Sequence, residues 1–293
     1  MDIKKLQHFV AIVEENSFSK AAKTLHISQP SLSQSIKFLE RQLGTPLLER
    51  STRHFHVTDS GILLYQRAKE LIRRMESIQK ELDESITTGR GELHLGIIES
   101  TQHWVPKIIK DFKIHNPNMQ IRFTEISEKK HVIQSLRNYD VHLSITNQLI
   151  KEDDISITPI YRETYMVIMH QQHRLAWKRE LNLDDLRGEP LILGKPGYQT
   201  RANILEALAS RNIKANIMFE IERFETAWNL AEENLGIAFI PENYIYQGQN
   251  SQVIRKTIDS PLMTRTVYLA HMKNRFFPAA IKQLIENIPL YFR

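Results

Sequence analysis

The chain of 293 residues contains no cysteine. That one absence excludes disulfides, thiolate zinc sites, iron–sulfur ligation and cysteine nucleophiles, and it fits a reducing cytosol. Long apolar runs are missing too: none approaches the roughly 18 residues that span a bilayer. The N-terminal stretch carries Glu14 and Glu15 where a signal peptide needs its apolar segment and cleavage site. A soluble, cytoplasmic chain with no membrane partner is expected. Catalytic signatures are equally scarce. There is no GxSxG elbow, HExxH, Walker loop or GxGxxG, and Gly89-Arg90-Gly91 lacks a third glycine and follows a helical pattern, not a strand. The pairs His54/His56 and His170/His173 have no carboxylate at ligand spacing, while Asp153-Asp154 and Asp184-Asp185 read as loop and helix-start acids. No catalytic residue, metal or cofactor is expected.

What is present is ordinary globular composition, 41% hydrophobic and 25% charged, in a length that divides into roughly two domains. The formal net charge is +5. The excess is densest between Lys20 and Arg67, where seven basic residues meet three acids; such a stretch becomes informative when it also carries a nucleic-acid motif.

It does. Ile3, Leu6, Phe9, Val10 and Val13 form one face of a helix. Asn16 and Ser17 interrupt and recap the chain before a short helix from Phe18 to Leu25. His26 and Ile27 make a turn, and Ser28 caps a third helix with Pro30 in its first turn. Leu32, Ile36, Leu39 and Leu43 form the expected buried stripe, and Gly44 stops the helix. This is the helix-turn-helix pattern. Pro46 to Val57 then reads as two short strands around a basic turn, a wing.

A recognition helix places its N-terminal residues against base edges in the major groove. Those positions hold Ser28, Gln29, Pro30, Ser31, Ser33 and Gln34. Glutamine can bond an adenine edge in bidentate fashion, serine can serve any base, and a proline ring suits a thymine methyl. Lys37 is placed for phosphate. Arg50, Arg53 and His54 on the wing can reach the backbone or a narrow minor groove. Double-stranded DNA is the expected partner.

From about Thr58 to Thr88 a helix runs without glycine or proline after its first turn. Leu64, Ala68, Leu71, Met75, Ile78 and Leu82 step by four and three, a heptad seam narrower than the apolar face of an ordinary globular helix. It predicts self-association. Thr87 to Gly91 reads as a hinge.

Beyond it the character changes. Strands are expected at 93–98, 121–126, 141–146, 165–170, 191–193, 217–220, 237–240 and 266–271. Helices are expected at 104–113, 129–136, 202–210, 227–233 and 277–288. Alternating strand and helix with mostly apolar strands predicts a parallel sheet covered on both faces.

Phe9 through Phe18, Ser19 through Gly44, and Pro46 to Arg50 with Val57, Thr58 and Gly61 closely resemble the LysR-type transcriptional regulators. Weaker matches continue in order: Asn116-Pro117, Asp140 to Ile145, Glu189 to Leu193 and Leu235 to Pro241. Gln34 departs from the arginine of many members, and Glu233-Asn234 from a small residue and glycine. The resemblance implies an α/β chain with an N-terminal winged helix-turn-helix (1–58), a linker and dimerisation helix (59–88) and a two-lobed, periplasmic-binding-protein-like effector domain (89–293). Lobe one would take about 92–161 and 266–293, lobe two about 162–265. It implies a dimer or tetramer on dyad-symmetric promoter DNA, modulated by a small metabolite between the lobes.

Ligands of such sheets bind beyond the carboxyl ends of strands, near helix N-termini. Ser100, Thr101 and Gln102 are the leading candidates, with Ser127, Thr146, Gly197, Tyr198, Thr200 and Thr226 at comparable junctions. Such neutral donors suit an anionic effector, organic-acid or amino-acid like. Glu99 would repel an anion unless Lys195 or another base offsets it. Serine and threonine at helix starts also cap helices.

Overall fold

In the computed structural model, which describes residues 2–50, 55–86, 91–244 and 252–292, Asp2 opens α1 (Ile3–Glu15) by accepting the Lys5 amide at 2.9 Å. Asn16 ends it in the left-handed region, φ 47°. Ser17 caps α2 (Phe18–Thr24), and Ser28 caps α3 (Gln29–Leu43) by accepting the Ser31 amide. Pro30 is tolerated because that position needs no helical N–H. Gly44, at φ 69°, closes α3 where a β-carbon would be strained. Leu6, Phe9, Ile12, Ala21, Leu32, Ile36 and Leu39 are buried together. Leu43 departs from the expected stripe: as the last residue of the helix it runs past this packed layer and is 40% exposed.

The expected wing is β1 (Leu48–Arg50) paired antiparallel with β2 (Phe55–Val57). The Glu40 carboxylate accepts the amides of Leu47 and Leu48 and so ties the wing to α3. Thr58 caps the long α4 (Asp59–Ile86) through the Gly61 amide. A β-carbon at Gly61 would stand 2.3 Å from the Leu47 carbonyl oxygen, so only glycine lets this helix start against the wing. The expected hinge, residues 87–90, lies outside the described residues. The chain divides into two compact units, 1–83 and 84–293.

In the second unit the first lobe contains β3 (Gly91–Ile97), α5 (Val105–His115), β4 (Met119–Glu125), α6 (Lys129–Arg137) and β5 (Leu143–Thr146). β6 (Ile155–His170) then passes into the second lobe: its first half pairs with β11 (Thr264–Met272), its second half with β9 (Ile237–Pro241). The second lobe adds β7 (Pro190–Gly194), α7 (Gln199–Ala209), β8 (Asn216–Ile221), α8 (Phe224–Glu232) and β10 (Val253–Lys256), and α9 (Ala279–Leu290) returns to the first. Each lobe's sheet is covered on both faces.

The sheets are not wholly parallel, as the apolar strands had suggested. β4-β3-β5 and β8-β7-β9 are parallel, but β6, β10 and β11 run antiparallel to their neighbours. The reason is topological: the chain leaves lobe one along β6 and comes back beside it along β11. β6 also starts ten residues before its expected position. The extra half alternates irregularly, with exposed Thr158, Pro159 and Arg162, and a register shift beside Pro159 accommodates the missing amide.

At the end of α8, Asn234 takes φ 57° and its amide reaches the Ala231 carbonyl. Asparagine thus occupies a left-handed position, as its short polar side chain permits.

Among the described residues no helix is long and apolar enough to cross a membrane.

Candidate functional site

Two surfaces gather the expected residues. On α3, Ser28, Gln29, Pro30, Ser31, Gln34 and Lys37 are exposed and Ser33 is half-buried, while Leu32, Ile36 and Leu39 on the opposite face are fully buried. The buried His8 ring holds α3 against α1 through Ser35 at 2.8 Å. Burial, with Lys4 nearby, keeps that ring below its ordinary pKa. The helix therefore rests on a dry face and presents a polar ridge with one cation a turn beyond it. Arg50 lies in β1, but its side chain, and Arg53 and His54 altogether, lie outside what the structure describes.

The seam of α4 divides in two. Ala68 is 2% exposed and, with Leu64, packs into the core of the winged domain. Those two are engaged inside their own unit rather than left for a partner, because the first turns of α4 also close the winged domain. Leu71, Met75, Ile78 and Leu82 are each about half exposed and continue the stripe beyond it.

The second surface is a narrow cleft between the lobes of the α/β unit, with about 30 Å³ of free space inside it and about 570 Å³ when the open solvent around it is counted. Its base is Arg265 on β11. The guanidinium donates through Nε to Glu163 Oε1 at 2.6 Å, through one terminal nitrogen to Thr200 Oγ1 at 3.1 Å and through the other to Ser100 Oγ at 2.8 Å. Glu163 is the register partner of Arg265 on β6, and Asn243 donates to its second oxygen. Burial opposes the charge on Arg265, but the Glu163 carboxylate outweighs it and holds the guanidinium above its ordinary pKa.

Glu99 stands at the rim, in a short 3-10 turn at Glu99–Thr101. Both of its carboxylate oxygens accept the Phe224 amide at the start of α8, at 3.1 and 2.9 Å. A lobe-one carboxylate thus occupies a lobe-two helix N-terminus. Burial, reinforced by Glu125, still holds Glu99 above its ordinary pKa. Further bonds cross between the lobes: Arg223 to Glu125 at 3.2 Å, Lys195 to Glu128 at 3.7 Å and a β-bridge between Glu128 and Tyr198.

Of the expected effector residues, Ser127, Tyr198 and Thr200 line the pocket. Ser100 is fully buried behind it, held by Arg265. The others do not line it. Thr101 is buried and caps its own turn by donating to the Ile98 carbonyl, and Thr146 is buried and accepts the Gln148 amide. Gln102, Gly197 and Thr226 are exposed at the surface. Within the leading group, then, Ser100 is held by Arg265, the Thr101 hydroxyl turns back onto its own chain, and Gln102 faces the surface. Lys195 does not offset Glu99; it pairs with Glu222 and Glu128.

Sequence reasoning missed Arg265, Glu163 and Asn147. Asn147 lines the pocket, and its Oδ1 is buried without a hydrogen-bond partner. Arg265 falls just before the expected 266–271 strand, so no local pattern marked it as buried. The histidines outside this region serve structure: His170 bonds Gln252 at 2.6 Å, and His173 pairs with Glu189 at 3.2 Å.

This architecture recurs in known proteins. A full-length OxyR variant from Pseudomonas aeruginosa is 24% identical, with a TM-score of 0.69 over 99% of this chain and 95% of that one, and shares the fold. The Bacillus subtilis protein named uncharacterized HTH-type transcriptional regulator YybE is 27% identical over 100% of this chain and 99% of its own. The hydrogen peroxide-inducible genes activator of Haemophilus influenzae is 26% identical over 98% of each. Residues 3–62 match the family model described as bacterial regulatory helix-turn-helix protein, lysR family, and residues 87–289 match that of the LysR substrate binding domain. The chain therefore belongs to the LysR family, transcriptional regulators rather than enzymes, with a DNA-binding helix-turn-helix and an effector-binding domain.

Proposed function

We propose that this protein reads dyad-symmetric promoter DNA in the cytoplasm as a dimer or dimer of dimers, and that a small molecule in the interlobe pocket adjusts how it binds or bends that DNA. The observation that carries the reading is α3: an exposed polar edge from Ser28 to Lys37 backed by fully buried Leu32, Ile36 and Leu39. Gln29 and the serines would read bases, and Lys37 would anchor a phosphate. Pairing would use Leu71, Met75, Ile78 and Leu82 of α4, whose exposed apolar groups are stabilised by a second copy. Two helices related by a two-fold axis require two half-sites with the same symmetry.

The effector would act by preferring one lobe arrangement, and it can shift the balance only by its difference in affinity for the two arrangements. Thiol oxidation is not available as the switch, since the chain has no cysteine. The Thr200 and Ser100 hydroxyls are engaged by Arg265, and the nearby α8 N-terminus is filled by Glu99. A plain organic acid would therefore have to displace an internal partner, whereas an amino-acid-like effector brings an amine as well.

Footprinting with the purified full chain on DNA upstream of its own gene and the neighbouring gene tests the reading. Protection of two symmetric half-sites supports it, and no protection at low ionic strength overturns it.

A further inference from the structure

The effector's charge class can be read from what the pocket lacks. Its charged groups do not balance. Arg265 is neutralised by Glu163 at 2.6 Å, and Glu222 is neutralised by Lys195 at 3.0 Å. Glu99 has no such salt bridge: among the described residues no cationic side chain is ion-paired with it, and Arg223, whose charge acts on it from nearby, is bonded to Glu125. Its hydrogen bonds come from the backbone at the start of α8, which leaves carboxylate lone pairs for the cavity it lines.

A second observation points the same way. Asn147 is 8% exposed, lines the same cavity, and its Oδ1 has no partner. A buried acceptor without a donor costs free energy until one arrives. The same cavity is lined by apolar Ile98, Ile221, Phe224 and Phe239 as well as by polar Ser127, Tyr198, Gln199 and Thr200.

On the reading that this pocket is the effector site, we infer that it takes a ligand with a protonated amine, whose nitrogen is received by Glu99 and Asn147 and whose small apolar body lies against Ile98, Ile221, Phe224 and Phe239. An ammonium carries three donors and no acceptor, which matches an excess of acceptors. It places a positive charge against a carboxylate that has no salt-bridge partner among the described residues, in a desolvated place where pairing is strongest. A carboxylate alone would add a further negative charge beside Glu99, and like charges at such a site repel.

The test uses the full-length protein without DNA and four probes of one chain length: n-pentylammonium, 1-pentanol, pentanoate and norvaline, followed by calorimetry and ligand-observed NMR at millimolar concentration. Pentylammonium should bind at least about tenfold more tightly than pentanol or pentanoate, a difference near 1.4 kcal/mol. Norvaline, which carries the same amine, should also bind more tightly than pentanoate. Glu99→Gln should abolish the preference for the amines, and Glu99→Asp, which keeps the charge, should restore part of it. Thermal melts of both variants show that each is folded.

Tighter binding of pentanoate, a preference that survives Glu99→Gln in a folded variant, or no ammonium binding at all would overturn the inference. Footprinting of the unaltered chain is independent of these outcomes. Promoter protection without an amine preference sinks only the ligand class, whereas loss of protection sinks the regulatory reading.

Discussion

Arg265 and Glu163 face each other across the two strands that join the lobes, 2.6 Å apart and almost completely buried. Two charges this far from water are held by one another and by Ser100, Thr200 and Asn243. Removing one partner strands the other. Arg265→Met should cost about 3–5 kcal/mol of stability, read by urea unfolding of the full chain. Replacing Glu163 with Leu at the same time should recover much of that loss, because an apolar pair of similar volume needs no solvation. A single replacement that melts like the native chain would show that the pair holds nothing together.

That relationship also marks where the sequence stopped being readable. The helix-turn-helix was legible because its signals are local: Ser17 and Ser28 cap, Gly44 ends a helix, and Leu32, Ile36 and Leu39 repeat at helical spacing. The α/β alternation was legible for the same reason. The environment of Arg265 depends on Glu163, 102 residues away, and that of Glu99 on Phe224, 125 residues away. No local pattern encodes such a pairing. Ser100 was found, but as a ligand donor, because its residue type alone cannot say that a distant guanidinium engages its hydroxyl. The α4 seam was read as uniform, although only tertiary packing separates buried Ala68 from exposed Leu71.

On α3, Gln29 and Lys37 are both exposed and should fail in different ways. Gln29→Ala should cost roughly 1–3 kcal/mol on the specific site and relax preference at one base pair. Lys37→Ala should weaken specific and random duplexes alike and reduce the slope of log affinity against log salt by about 1. Fluorescence anisotropy over a salt series separates the two. Equal losses on specific and random duplexes for Gln29→Ala would remove it from base reading.

Along α4 the two halves of the seam should also separate. Leu71→Glu and Ile78→Glu place charge on exposed apolar positions, so sedimentation equilibrium should show weaker assembly while the melting of isolated subunits changes little. Ala68→Leu overfills a site that is 2% exposed in the core of the winged domain, and should cost about 1–3 kcal/mol of stability instead. Unchanged assembly in both glutamate variants would exclude this helix as the dimer contact.

Glu99 should leave a signature in the pH dependence of folding. Burial, with Glu125 adding to it, raises its pKa in the folded chain, whereas the Phe224 and Glu225 amides and Arg223 pull it down without cancelling the rise. The unfolded chain titrates at the ordinary carboxylate value. Between those two values the folded state holds more protons than the unfolded state, so stability falls as pH rises through the window. The penalty is complete above the folded pKa and absent below the unfolded one. Glu99→Gln cannot ionise and lacks this component. Native chain minus variant, measured by urea unfolding from neutral pH downward, should therefore shift in favour of the native chain as the pH falls toward the ordinary carboxylate range. A difference that stays flat, or moves the other way, would mean that the backbone amides of α8 fully offset the loss of water around this carboxylate.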